Sequence, residues 1–155
     1  METTAQNPLL KKLQLPGRTF QLPSRGALYR NGEVNSKEGE VHVHPMSALT
    51  EISLKKCIPD VKKPLDLFGR DIDALMFFLR LVTYGPNYEI NVKHTCKDAK
   101  QHSYTVNIEE LVMAMKQLDP TLADQFTVTV QTGQVVRCRP ANMQHMIKLF
   151  QRNAG

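Results

Sequence analysis

His94, Cys96 and His102 are the residues whose types and spacing come nearest to a chemical site. Thiolate and imidazole are the usual ligands of zinc, and His94-Thr95-Cys96 followed by His102 would gather three of them at a hairpin tip, with Cys138 or Cys57 as a fourth. The tight CxxC pairing of structural zinc sites is missing, so no metal is assigned. Polar residues on an exposed tip beside a half-buried thiol are the simpler expectation, and zinc is the one cofactor these residues could hold. His42 and His44 lie two apart on a strand and share a side, which suits a metal or a pH-sensitive contact as well as a plain solvated face.

The remaining catalytic patterns are absent from the chain. Gly17, Gly26, Gly32 and Gly39 do not have the spacing of a phosphate-binding loop. Ser24, in Pro23-Ser24-Arg25-Gly26, lacks the preceding glycine of a nucleophile elbow and reads as a turn residue. Glu109-Glu110 fall where a helix begins, where negative charge complements the helix dipole. Met113, Met115, Met143 and Met146 are spread over two helices and suit adaptable packing better than a cofactor box. No convergent set of nucleophile, base and oxyanion donors can be assembled, so the chain is not expected to be an enzyme.

The elements that would carry these residues follow from periodicity. Thr19–Leu22 alternates as a strand, Pro23–Gly26 turns the chain, and Tyr29 follows in an extended piece. Asn31-Gly32 is favoured where both central turn residues need positive φ, and Glu40–His44 alternates beyond it, which predicts an antiparallel β unit. Ser47 is placed to cap a helix carrying Leu49 and Ile52 towards Cys57. Pro59 and Pro64 bound a basic connector. Asp71 is the expected N-cap of the strongest helix, with Ile72, Leu75, Met76, Leu79 and Val82 on its apolar side and Gly85-Pro86 as its stop; the run Leu75–Leu79 suggests a path through the core. Tyr88–His94 and His102–Ile108 form a hairpin, a helix capped by Asn107 spans 108–118, and a second hairpin turns at Thr132-Gly133. A basic amphipathic helix with Met143, Met146, Ile147 and Phe150 closes the chain. This order predicts an α+β fold, antiparallel hairpins in one or two small sheets packed with three to four helices. Residues 1–18, with Leu9, Leu10 and Leu13, are expected to form an extended N-terminal arm, a frayed terminus more readily than a segment docked on a neighbour, and residues 19–155 one domain.

Composition agrees with such a domain. The 155 residues are 41% hydrophobic and 23% charged, typical of a globular chain. No run approaches the roughly 20 apolar residues of a membrane span, and no secretory signal is expected at the N-terminus. Cys57, Cys96 and Cys138 are too scattered for a disulfide framework, which fits a reducing compartment. The net charge of +5 is concentrated at the ends. Lys11, Lys12, Arg18, Arg25 and Arg30 face Glu2 alone in residues 1–30, and Arg137, Arg139, Lys148 and Arg152 meet no acid after residue 136, whereas the body between is mildly acidic. Basic ends suit nucleic acid or an acidic protein surface, and equally plain solvated charge at mobile ends. Phe20, Phe77, Phe78, Phe126 and Phe150 fall on core-like periodicities without forming a basic stacking surface, so nucleic acid is the weaker expectation.

Three stretches carry a family resemblance. Phe20–Gly26 with Tyr29, Gly39–Met46 leading into a helix, and the block from Cys57-Ile58-Pro59 to Leu79–Gly85 resemble, in order and spacing, the T4-type bacteriophage baseplate family of contractile-tailed phages. The likeness covers roughly residues 19–150. It implies a non-catalytic viral protein that forms, or helps to assemble, the baseplate hub at the end of the tail tube. Its partners would be other baseplate or tail proteins, with assembly in the host cytoplasm, residence in the virion and oligomerisation within the baseplate. Some members carry a cysteine pair at the hairpin tip; here Cys96 stands with His94 and His102. The alternatives are a transient tail-assembly chaperone absent from the virion and a small basic nucleic-acid-binding protein. The expected contact residues are Leu22, Pro23, Arg25, Gly26 and Tyr29, in a turn ahead of an aromatic, together with Met143, Met146 and Phe150 on the last helix. An ordinary tight turn with Tyr29 packed on its own domain is the competing expectation for the first group.

Overall fold

The computed structural model describes residues 16–36, 38–46, 54–93, 101–122 and 126–153. Along them run β1 (Arg18–Gln21), β2 (Glu40–Val43), α1 (Leu54–Cys57), a 3-10 turn (Pro64–Asp66), α2 (Gly69–Tyr84), β3 (Asn87–Lys93), β4 (Gln101–Asn107) and α3 (Ile108–Met113). A second 3-10 turn (Pro120–Leu122), β5 (Thr127–Thr129), β6 (Val135–Arg137) and α4 (Met143–Asn153) follow. The class is α+β, as expected. Each strand pairs only within its own antiparallel couple, so the described residues hold three two-stranded sheets, where one or two were expected. The arm as far as residue 15, the start of the Ser47 helix with Leu49 and Ile52, and the hairpin tip with His94 and Cys96 lie outside the described residues. Arg18, expected in the arm, instead opens β1 opposite Val43.

One hydrophobic core organises the first half. Leu22, Val41 and Val43 come from the β1–β2 unit, Cys57, Ile58, Val61 and Leu67 from α1 and the connector, and Ala74, Leu75, Phe78 and Leu79 from the inner face of α2. Phe20 stacks on Phe78 with ring centroids 4.5 Å apart. Burying one such large side chain contributes roughly 1.5–3 kcal/mol. Helix α2 ends where expected: Gly85 has φ 82° and its N–H reaches Leu81 O at 2.9 Å, and Pro86 cannot continue the ladder.

Two expectations for α2 need correction. The helix begins at Gly69 with Phe68 as N-cap, and Asp71 lies inside it, fully buried. Met76 is 60% exposed and Phe77 also reaches solvent. Successive helical residues are rotated by about 100°, so an unbroken apolar run of five cannot all face one core. The surplus faces outward.

The Asn31-Gly32 turn also differs. Gly32 has positive φ but Asn31 does not, and Asn31 donates its backbone N–H to Glu33 Oε2 at 2.7 Å. The segment is an excursion between β1 and β2 whose Val34 bridges to Val61, while Lys62 N–H and Lys63 N–H both donate to Glu33 O. Burial pushes the Glu33 carboxyl upwards, but hydrogen bonds from its own backbone N–H and from Asn31, with the Lys63 charge, outweigh this and hold it below the usual range.

The later elements follow the sequence pattern more closely. β3 and β4 pair from Asn87↔Asn107 to Lys93↔Gln101. The Asn107 side chain accepts hydrogen bonds from Glu109 N and Glu110 N, the expected cap. α3 stops at Met113 instead of 118, and the chain continues until Leu118 N–H donates to Pro23 O at 2.7 Å.

Candidate functional site

The expected contact turn is built into the domain instead of being presented by it. Leu22 is fully buried, Pro23 and Ser24 are buried, and Arg25, Gly26 and Tyr29 are half-buried. Asp71, at 0% exposure, accepts Ser24 N–H at 2.9 Å and Tyr29 O–H at 2.6 Å. The Tyr29 oxygen in turn accepts Phe68 N–H at 3.1 Å, and the two rings stack with centroids 5.1 Å apart. Burial, and then the Asp71 charge, push the Tyr29 phenol well above its ordinary pKa, so it stays a donor. The domain therefore packs Tyr29 on itself, and Leu22 has no surface to offer a partner.

Backbone conformation tightens the same turn. Arg25 and Gly26 have φ 52° and 69°, and Gly39, with φ 73°, lies against them. A Cβ on Gly39 would meet the Gly26 amide and come within 2.6 Å of the Arg25 carbonyl carbon, and one on Gly26 would come within 2.9 Å of Gly39 N. Two backbone segments touch here, and only glycine leaves room. Arg25 keeps its Nε buried without a hydrogen-bond partner among the described residues.

The second group of expected contact residues is presented to solvent. Met143 is half-buried at the start of α4, and Met146, Ile147, Leu149 and Phe150 are exposed, Phe150 at 69%. Met143, Met146, Ile147 and Phe150 follow i, i+3, i+4, i+7 spacing and so form one apolar stripe. The helix is clipped to the domain at its base. Phe68 bridges to Asn142, Met143 N–H donates to Leu67 O at 3.2 Å, and the buried Asn142 side chain caps His145 N–H at 3.0 Å.

The β3–β4 ribbon carries a feature that alternation in each strand signals only once the register is known. Directly opposed residues share a face. One face therefore holds Tyr88, Ile90 and Val92 with Val106, Tyr104 and His102, and the other Asn87, Glu89, Asn91 and Lys93 with Asn107, Thr105, Ser103 and Gln101. The first face is apolar, yet Tyr88, Ile90, Val92 and Tyr104 are all exposed. Only its base is dressed: Arg80 lays its guanidinium over Tyr84 and Tyr88, 4.6 and 5.2 Å from the ring centroids. The β5–β6 ribbon repeats the pattern with Val128 opposite Val136, both exposed.

From residue 87 onward, Ile108 and Asn142 are the only described residues that are buried. The described residues of the second half thus make regular elements without a core of their own. A two-stranded ribbon is marginal by itself in water.

Of the metal candidates, His94 and Cys96 lie outside the described residues. His102 lies on the apolar ribbon face beside Tyr104. Cys57 is buried in the core and Cys138 is exposed on the far hairpin. No group of three or more candidate ligands occurs among the described residues. His42 and His44 do meet, edge to face with centroids 4.6 Å apart, and Thr19 Oγ1 lies 3.1 Å from His42 Nδ1. Burial first, and the neighbouring His42 second, lower the His44 pKa. Among the described residues no helix is long and apolar enough to cross a membrane.

No protein-family model matches the chain, and neither a curated protein nor a solved structure matches it.

Proposed function

We propose that the chain is a non-enzymatic tail protein of a T4-type contractile phage, one that forms or helps to assemble the baseplate hub through protein–protein contacts. The observation that carries this reading is the set of uncovered apolar faces after residue 87: the β3–β4 ribbon, the β5–β6 ribbon and the α4 stripe. A chain that acts alone gains nothing from leaving these in water, whereas a subunit of an assembly buries them against neighbours. The succession of Phe20–Gly26, Gly39–Met46 and Cys57–Gly85 supports the viral context.

Two roles fit equally well, a resident of the virion and a chaperone that leaves. Quantitative mass spectrometry of purified particles separates them. Stoichiometric copies exclude a transient role. Absence from particles, with tails still failing to assemble when the gene is deleted, leaves the chaperone. Normal tails after deletion refute the assembly function altogether.

A further inference from the structure

The apolar stripe of α4 does not begin on open surface. Met143, its first residue, forms part of the wall of a cavity of about 270 Å³ enclosed by α1, the connector, the first 3-10 turn and α2. Ile58, Val61, Leu67 and Leu75 make its buried floor, while Leu65 and Met76, each at least half exposed, stand at its mouth. An engineered cavity of about 150 Å³ holds a benzene ring, so this one has room for roughly two large apolar side chains. Leading out of it, Met146, Ile147 and Phe150 extend an apolar track by about 10 Å along the helix.

The rim charge bears on the occupant. Lys55 and Lys62 line the cavity and, among the described residues, no acidic one does. On the elements around it, Lys56, Lys63 and Arg70 add positive charge. Of the acids there, Asp71 is buried in its own hydrogen bonds, leaving Asp60, which accepts His42 N–H, with Asp66 and Asp73 against the five cations. Of the chain's own apolar segments, Leu9–Leu15 contains Lys11 and Lys12, and α4 carries Lys148 and Arg152 without an acid, whereas α3 is acidic through Glu109 and Glu110 but only six residues long. The basic segments, in this chain or in a second copy, bring no favourable charge to a lysine rim, and α3 is too short to present anchors from i to i+7.

We propose that this cavity, continued by the α4 stripe, receives an acidic amphipathic helix of a partner protein, its apolar side chains in the pocket and its carboxylates on Lys55 and Lys62. Helix-in-groove recognition uses anchors at i, i+3, i+4 and i+7, the spacing that the α4 track itself presents. The inference rests on the assembly reading only in taking the occupant to be protein.

The test uses the full chain and two synthetic fluorescent peptides of about 18 residues, each with leucines at amphipathic-helix spacing. One has glutamate and the other lysine at the polar positions, and fluorescence anisotropy is the readout. The acidic peptide should bind at least about ten-fold more tightly than the basic one. Met76→Glu at the mouth should weaken it by about ten-fold or more, and Lys55→Glu with Lys62→Glu should reverse the preference. These side chains are exposed, so urea unfolding of the variants should match that of the parent and show that binding, not folding, has changed. Equal affinity for the two peptides, or binding that Met76→Glu leaves unchanged, overturns the assignment. That failure is distinct from failure of the assembly role, which is read from particles and tails.

Discussion

Replacing Asp71 by alanine should destabilise the domain by about 3–5 kcal/mol, because two donors lose a charged acceptor at once. Ser24 N–H at 2.9 Å and Tyr29 O–H at 2.6 Å both end on this carboxylate, which is fully buried. A hydrogen bond to a charged group contributes about 1.5–3 kcal/mol, and a buried donor left without a partner costs a comparable amount. Tyr29→Phe removes one of the two bonds and should cost about 2–3 kcal/mol. The double variant should then cost less than the sum, with a coupling of about 1.5–3 kcal/mol. Asp71→Asn keeps an acceptor oxygen for one donor and remains measurable should Asp71→Ala leave too little folded protein, since domains of this kind are stable by only about 5–15 kcal/mol. Urea unfolding followed by circular dichroism gives the four free energies, and the melting temperature should fall by about 10–20 °C in Asp71→Ala. Additivity of the two single changes within about 0.5 kcal/mol would show that Tyr29 and Asp71 do not act together, and the account of the buried turn would be wrong.

Gly39→Ala should cost about 2–5 kcal/mol, combining positive φ with a collision against the Gly26 and Arg25 backbone. Gly133→Ala, at φ 79° with nothing within 4 Å, should cost about 1–2 kcal/mol; equal losses in thermal melts would contradict the close approach. Phe150→Ser should change the unfolding free energy by less than about 0.5 kcal/mol, whereas Phe78→Ala should cost about 3–5 kcal/mol, as denaturant titrations can measure. His44 has a pKa below that of an unfolded histidine, so the unfolded chain binds the extra proton. Its contribution is intact above pH about 6.5 and is lost as the pH falls towards the folded-state value. His44→Gln should flatten that part of a stability–pH profile, and a profile unchanged by the substitution would argue against it. A chain that binds through its apolar faces should also show little affinity for DNA at 200 mM salt; binding that is strong at about 50 mM and falls steeply with salt would favour phosphate contact.

Periodicity carried much of the fold. Alternation located both later hairpins within a residue or two, Asn107 was legible as a cap because its side chain has only local work to do, and Gly85-Pro86 marked the end of α2 by backbone chemistry alone. Asp71 was misplaced for a physical reason. As a short acidic residue ahead of an apolar run it has the local signature of an N-cap, while its real partners, Ser24 and Tyr29, lie more than forty residues away. No local pattern encodes that pairing. Met76 and Phe150 show the opposite limit. Both belong to strongly apolar stretches, yet both face solvent, because periodicity reports an apolar side and not what covers it. The ribbon face of Tyr88, Ile90, Val92 and Tyr104 could have been found by setting the two alternating strands in register before asking which side meets the helices.

The division of the chain at residue 87 also has a temporal meaning. Every member of the core cluster, from Leu22 to Leu79, is synthesised before the ribbons and the last helix. At about 5–20 residues per second, the stretch from Leu79 to α4 takes roughly 4–15 s to make. Small domains fold in microseconds to seconds, so the core from Leu22 to Leu79 has time to close before α4 is complete. The exposed apolar faces of the ribbons and of α4 thus emerge after it, tethered to a scaffold that has already taken shape.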